Sequence, residues 1–170
     1  MVTKGMILAA CAALAAGAGP ARAQLAAGSR FPALAGFNLP GAALPDTAGR
    51  VVMVDFWASW CAPCKESFPA YGRLQERLGG KGFVIIAVSV DDDPAAYAAF
   101  VARLKPAFAT VDDRTHALVE SVQVPTMPTC YLVDRRGVVR FVHAGFRGAE
   151  TERQLASEIE SLLAEGKGPP

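Results

Sequence analysis

The chain has 170 residues, with 17 Lys and Arg against 16 Asp and Glu, which gives a formal net charge of +1. Basic and acidic residues are interspersed along the sequence, so the composition argues against nucleic acid or an anionic membrane surface as a partner. The length suits one domain with an ordinary hydrophobic core.

The first 23 residues have the pattern of an export signal. Lys4 gives a short positive region, residues 6–19 are uncharged and rich in Ala, and residues 21–23 (Ala-Arg-Ala) fit the small-x-small rule of a signal peptidase. The apolar run is shorter than the roughly 20 residues of a spanning helix. We expect cleavage after residue 23, which leaves residues 24–170 as a single domain. Cys11 ends a sequence that resembles a lipobox, so a lipid on Cys11 remains the alternative.

Strands and helices alternate along the rest of the chain. Apolar runs predict buried strands, and apolar residues at helical spacing predict helices. The predicted strands cover residues 51–57, 83–90, 108–111, 129–133 and 138–142. The predicted helices cover residues 61–78, 95–104, 115–122 and 150–164, and we interpret the three aspartates at 91–93 as caps of the second helix. The βαβ units and the turn at Gly137 predict an α/β architecture with a mixed sheet and helices on both faces.

Three cysteines follow the export signal: Cys61, Cys64 and Cys130. A secreted scaffold held by disulfides usually has a larger, even number, and a bridge between Cys61 and Cys64 would close too short a loop to constrain the unfolded chain. Structural zinc needs four ligands, whereas this chain offers one cysteine pair and two isolated histidines, His116 and His143. We therefore expect neither a metal centre nor a cofactor.

The position of Cys61 indicates a reactive thiol. Cys61 follows a predicted buried strand and opens a predicted helix, with Pro63 at an early position where a missing N–H is tolerated. The free N–H groups and partial positive charge of a helix start would lower the thiol pKa from about 8.5 toward about 7. A thiolate attacks disulfides. Cys64, one turn further and deeper, could resolve the mixed disulfide.

The motif around these cysteines resembles the active site of thioredoxin-fold proteins. Further features resemble the TlpA/ResA-like branch of exported thiol–disulfide oxidoreductases, over about residues 31–163. The resemblance rests on W-C-A-P-C at residues 60–64, V-D-F-W-A at 54–58, Glu66, F-P at 68–69 and V-P-T-M-P-T at 124–129. It implies a thioredoxin fold with a central mixed sheet and an N-terminal extension, in which Cys61 and Cys64 form a redox disulfide.

The resemblance also implies a surface that binds the client protein. Pro128 matches a cis-proline beside the cysteines, where the backbone of Met127 would pair with a client strand. Trp60, Ala62 and Pro63 would form the rest of this surface, although Trp60 could serve packing alone.

Asp55 matches a buried carboxylate that relays a proton to or from the second cysteine. Burial should raise its pKa, which suits a general base near neutrality. The lysine that partners this carboxylate in thioredoxins would fall near Ala87, so that feature is missing, and a purely structural Asp55 remains the alternative. Cys130 is expected to be a small buried hydrophobe. His116 and His143 are expected to be ordinary surface or edge residues.

The function that the resemblance implies is reduction of disulfides in exported clients, in the periplasm if the host is Gram-negative. A membrane thiol reductase would supply electrons to a monomeric protein, and clients could belong to cytochrome c assembly, copper-site assembly or general repair. Pro63 resembles the reducing members, while Thr129 stands where the cytochrome subgroup often has Glu. A copper chaperone using Cys61, Cys64 and Met127 as soft ligands is the alternative. A peroxidase is disfavoured because Ala58 stands where a Thr or Ser is expected.

Overall fold

Within residues 23–166, which the computed structural model describes, the fold is built on a five-stranded mixed sheet. The strands are β1 (Val51–Trp57), β2 (Phe83–Ser89), β3 (Ala109–Asp112), β4 (Thr129–Val133) and β5 (Val139–Ala144). Their order is β3-β2-β1-β4-β5, with β1, β2 and β3 parallel and β4 antiparallel to both of its neighbours. The predicted mixed α/β sheet is confirmed.

The helices follow the predicted order. They are α1 (Ala62–Leu78), α2 (Pro94–Leu104), α3 (Ala117–Val122) and α4 (Ala149–Ala164). The predicted ends of strands and helices differ from the observed ones by no more than two residues. The later start of α3 has a local cause, because His116 adopts a left-handed backbone with φ of 56°, which an α-helix does not contain.

Three helices cover the sheet face that carries the odd-numbered side chains of β1. Met53 packs with Leu74 of α1 and Ile159 of α4. At the carboxyl end of β1, Trp57 packs with Phe100 of α2, with ring centroids 4.3 Å apart. Successive side chains of a strand point to opposite faces, so Asp55 lies on this same face, between Met53 and Trp57.

The opposite face is covered by α3 and by the N-terminal segment, residues 24–50. Val54 of β1 shares a core cluster with Leu118 of α3 and with Phe31 of the N-terminal segment. Isolated bridges also join the segment to the sheet region, at Arg30 with Val138 and at Gly41 with Val111. The predicted N-terminal extension is therefore packed on the sheet, and helices lie on both faces as expected.

The predicted export signal lies almost entirely outside the described residues. Residues 1–22, including Cys11, fall outside them. Across residues 23–166, no helix combines the length and the apolar character needed to cross a membrane.

Candidate active site

Cys61 and Cys64 form a disulfide at the junction between β1 and α1. Cys61 is the N-cap residue of α1, with an extended backbone, and Cys64 lies in the first helical turn. Their Cα atoms are 5.3 Å apart, within the usual range for a disulfide. Pro63 sits at the start of the helix, where a backbone N–H has no intrahelical partner. The structure therefore places the cysteine pair at a helix start, as the sequence predicted.

The start of α1 directs a hydrogen-bond donor at the first sulfur. The backbone N–H of Cys64 donates to Cys61 Sγ at 3.2 Å. The first turn of α1, which is described throughout, contains no acidic residue. A thiolate formed at Cys61 by reduction would keep this donor and the partial positive charge of the helix end, both of which stabilise negative charge on sulfur.

The two sulfurs differ in their access to solvent. Cys61 is 5% exposed and Cys64 is fully buried, so Cys61 is the cysteine nearer to an approaching client. Trp60, immediately before it, is 69% exposed, which is unusual for so large an apolar side chain. Ala62 is exposed and Pro63 is half-buried. Trp60, Ala62 and Pro63, which are predicted to bind the client, thus lie next to the more accessible sulfur in the chain and are all at least partly exposed.

The loop between α3 and β4 packs beside the cysteines. The Met127–Pro128 peptide bond is cis, as the resemblance implied for Pro128. Met127 is half-buried and packs against the cluster that contains Cys61 and Cys64. The Pro128 carbonyl accepts a hydrogen bond from the Gly145 N–H at 2.7 Å, which ties the loop to the end of β5. Met127 and Pro128 are therefore held next to the disulfide.

Asp55 is fully buried in the middle of β1. Its Oδ1 accepts a hydrogen bond from the Tyr71 hydroxyl at 3.1 Å, while Oδ2 has no partner among the described residues. Burial raises the pKa of Asp55 well above its usual value, and the Tyr71 hydrogen bond opposes that rise. Ala87 stands directly opposite Asp55 in β2, so the lysine of thioredoxins is absent and a tyrosine supplies the donor.

A row of buried polar groups joins Asp55 to the helix that carries the cysteines. Cys64, Ser67 and Tyr71 are spaced three and four residues apart and are all buried on one side of α1. Ser67 Oγ donates to the Cys64 carbonyl oxygen at 3.0 Å. Burial raises the pKa of Tyr71, and the nearby Asp55 and Cys130 groups raise it further. Tyr71 is a residue of this site that the sequence analysis missed.

Cys130 is a free, buried thiol in β4, opposite Asp55 on the side away from Ala87. Burial raises the pKa of Cys130 well above its usual value, and the nearby carboxyl groups of Asp55 and Glu158 raise it further. A thiol so disfavoured from ionising is a poor nucleophile, which agrees with the expected role as a small hydrophobe. His143 lies in the edge strand β5, as expected, but its ring also contacts Glu158 at 2.5 Å, a partner that the sequence did not indicate.

Asp91 has a different role from the one predicted. The residue that caps α2 is Asp93, whose side chain accepts from the Ala95 N–H at 2.9 Å. The buried Asp91 carboxylate instead accepts from the backbone N–H and hydroxyl of Ser59, at 3.0 and 2.8 Å, and from the Ser89 hydroxyl at 2.8 Å. Asp91 therefore connects the loop before the cysteines to the end of β2 through hydrogen bonds.

Glu66, which follows the cysteine pair on α1, is exposed to solvent. Water and salt screen an exposed helix charge, so we expect little effect of Glu66 on Cys61. Among residues 23–166, no group of three or more His, Cys, Asp or Glu side chains is arranged to hold a metal ion.

The structure has a disulfide at a helix start and a cis-proline beside it, on a thioredoxin-type sheet. This combination is the reactive unit of thiol–disulfide oxidoreductases. The fold and the site together put this chain in that class. The Redoxin family profile matches residues 26–159. The match spans well over half of the sequence, so the chain belongs to the Redoxin family.

Individual relatives agree with this assignment. Thiol-disulfide oxidoreductase ResA of Geobacillus kaustophilus is 29% identical over 119 residues, which are 70% of this chain and 67% of the relative. Thioredoxin-like protein YneN of Bacillus subtilis is 30% identical over 120 residues, 69% of this chain and 68% of the relative. A solved structure of a candidate thiol:disulfide interchange protein DsbE from Chlorobium tepidum is 35% identical, with a TM-score of 0.76 over 82% of this chain and 99% of that one.

Proposed function

We propose that this oxidoreductase reduces disulfides in exported client proteins and acts in the periplasm. The observation that supports this most directly is the position of Cys61. Its sulfur accepts a hydrogen bond from the start of α1 and is the less buried of the pair, next to the exposed Trp60. A sulfur so placed suits a nucleophile that meets its substrate at the protein surface.

The first step is attack by Cys61 on the client. In the reduced protein, the Cys61 thiolate attacks one sulfur of the client disulfide and forms a mixed disulfide. The client S–S bond breaks, and the other client sulfur leaves as a thiolate that takes a proton from solvent. The α1 N-terminus supplies electrostatic stabilisation that favours the thiolate form of Cys61.

The second step is resolution by Cys64. Cys64 gives its proton to the Asp55 carboxylate and attacks the Cys61 sulfur. The Cys61–Cys64 bond forms as the bond between Cys61 and the client breaks, and the client departs with its second thiolate. The client gains two electrons and the protein loses two, which leaves the disulfide seen in the structure.

The client is held beside Cys61 by the surface that Trp60, Ala62, Pro63, Met127 and Pro128 form. In this proposal the backbone of Met127 pairs with an extended client strand, while the apolar Trp60 covers the mixed disulfide. Such main-chain pairing tolerates many client sequences, because it reads backbone groups more than side chains.

Thr129 favours copper-site or generally misoxidised proteins slightly over apocytochrome c as the proposed clients. Thr129 follows the cis-proline, is buried, and donates through Oγ1 to the Thr126 carbonyl at 2.8 Å. This position therefore offers no carboxylate to the client.

After each turnover the oxidised pair needs a dithiol donor, for which we propose a membrane thiol reductase.

Insulin reduction tests the proposal. We expect catalysis by the wild-type chain, loss of activity in Cys61→Ser, and retention in Cys130→Ala, which removes the third described thiol without touching the pair. Equal activity in wild type and Cys61→Ser would reject the catalytic role. Stoichiometric Cu(I) binding that needs both cysteines, in a chain unable to reduce insulin, would favour the copper-chaperone alternative instead.

Trapping identifies the client. In Cys64→Ser the mixed disulfide on Cys61 cannot be resolved, so clients should accumulate as adducts that dithiothreitol releases. Cys61→Ser is the matched control and should trap none of them. Adducts confined to cytochrome c precursors would contradict the client preference inferred from Thr129.

A further inference from the structure

We propose that Tyr71 is the positioning residue for proton transfer in the resolving step: its hydroxyl holds one oxygen of Asp55 and leaves the other to exchange the proton with Cys64. This role rests on the proposed function, and it assigns to a neutral hydroxyl the place that a lysine takes in thioredoxins.

Tyr71 is the hydrogen-bond donor that the surroundings of Asp55 provide. In the described part of the chain, the Tyr71 hydroxyl is the one group that hydrogen-bonds to the Asp55 carboxyl. β2 contributes the apolar Ala87 at this position. The titratable groups on the elements packed around Asp55 are Tyr71 and the cysteine pair from α1, Cys130 from β4, His143 from β5 and Glu158 from α4.

Tyr71 is itself held firmly. Its side chain is buried and its ring packs edge-on against Phe146 at 6.0 Å. The Ser67 hydroxyl lies beside Tyr71 and donates a hydrogen bond to the Cys64 carbonyl. Ser67 therefore lies between Tyr71, which donates to Asp55, and the helical turn that carries the resolving cysteine. Because a fixed donor orients its acceptor, Asp55 Oδ2 is the oxygen left for the proton.

The charge of the donor has a chemical consequence. A lysine would hold Asp55 as a carboxylate, whereas a neutral hydroxyl stabilises the carboxylate less. Burial raises the pKa of Asp55, and the Tyr71 hydrogen bond opposes that rise. Removing the hydroxyl should raise the pKa of Asp55 further and lower its carboxylate fraction, by at most about tenfold for each pKa unit gained.

The test compares Tyr71→Phe with Tyr131→Phe in the full chain. Tyr131 is an equally buried tyrosine on the other sheet face, and its hydroxyl has no partner among the described residues. We expect Tyr71→Phe to resolve a preformed mixed disulfide about tenfold more slowly at pH 7, with its pH–rate profile displaced to higher pH. Tyr131→Phe should match wild type in rate and profile.

Two further variants separate this role from general damage. In a Cys64→Ser background, Tyr71→Phe should leave the rate of adduct formation at Cys61 unchanged. In an Asp55→Asn background, Tyr71→Phe should cause no additional loss. A wild-type pH profile in Tyr71→Phe, or an equal slowing with and without Asp55, would overturn the proposal.

A direct readout completes the experiment. In chain labelled with carbon-13 at Asp carboxyl groups, the Asp55 signal should titrate at higher pH in Tyr71→Phe and at the wild-type pH in Tyr131→Phe. An unmoved titration in Tyr71→Phe would also overturn the role. Wild-type insulin reduction that does not depend on Cys61 would instead overturn the proposed function, and this role with it.

Discussion

A carboxyl group buried beneath α1 makes the stability of this protein depend on pH. The pKa of Asp55 is raised in the folded chain, chiefly by burial, above the value of about 3.9 that an unfolded aspartate has. Between those two values the folded state holds a proton that the unfolded state has lost. The contribution of Asp55 is therefore most favourable below about pH 3.9 and falls as pH rises to the folded pKa, above which it is constant.

Asp55→Asn should remove this dependence. We expect the oxidised variant to have a higher free energy of unfolding than wild type at pH 7, with the difference shrinking toward pH 4. Urea unfolding at both pH values measures it. Asp92→Asn is the matched control, because Asp92 is 94% exposed and its pairing with the His116 ring 3.6 Å away is a surface contact, so its replacement should change either value by less than about 1 kcal/mol. A difference between wild type and Asp55→Asn that is the same at pH 4 and pH 7 would contradict the assignment.

At the scale of elements, α2 packs on the active-site region through an apolar face centred on Phe100, with Tyr97, Val101 and Leu104 beside it. Phe100 is the buried residue of α2, and its ring lies 4.3 Å from Trp57 and 5.1 Å from Phe68. This cluster also contains Cys61 and Cys64. The aromatic contacts therefore connect the position of α2 to the walls of the redox site.

Phe100→Ala should destabilise the protein by about 3–5 kcal/mol, the range for removing a buried phenylalanine ring. Arg103→Ala on the same helix should cost less than about 1 kcal/mol, although its guanidinium lies 5.5 Å from the Phe100 ring, because exposed cation–π contacts are weak. Urea unfolding of both variants makes the comparison. A loss below about 1 kcal/mol for Phe100→Ala would show that α2 is held by other contacts.

The elements themselves were predictable because their signals are local. The apolar run of β1, the helical spacing of α1 and the cap at Asp93 each involve residues close in sequence. The C-x-x-C pair and the cis-proline were predictable for the same reason, since each is a short motif. These features gave the fold class and the two reactive sulfurs.

Contacts between distant residues were not predictable in the same way. Asp91 meets Ser59 across 32 residues because β1 and β2 are parallel neighbours whose carboxyl ends share one edge of the sheet. Tyr71 meets Asp55 because a helix face lies over a strand. Both contacts depend on strand order and helix packing, which hydrophobic periodicity does not specify.

At the scale of the whole molecule, the direction of the reaction is linked to folding. The cysteine pair has one reduction potential in the folded chain and another in the unfolded chain. The difference between these two potentials equals the difference in folding free energy between the reduced and oxidised forms, at about 1.4 kcal/mol for each 30 mV. A strong oxidant such as DsbA is one whose reduced form is stabilised. A reductant shows the opposite order, with the disulfide form more resistant to unfolding.

For this chain we expect the oxidised form to be the more stable. Reduction places a polar thiol at the fully buried Cys64, whereas the disulfide is neutral and apolar. The start of α1, whose N–H lies 3.2 Å from the Cys61 sulfur, stabilises the Cys61 thiolate and acts in the opposite direction, but it offsets only part of the cost at Cys64. Urea unfolding with and without dithiothreitol measures the difference, and a Cys61→Ala/Cys64→Ala variant should show no effect of the reductant. If the reduced form proved more stable, the chain would donate disulfides to its clients, and the proposed direction would be reversed.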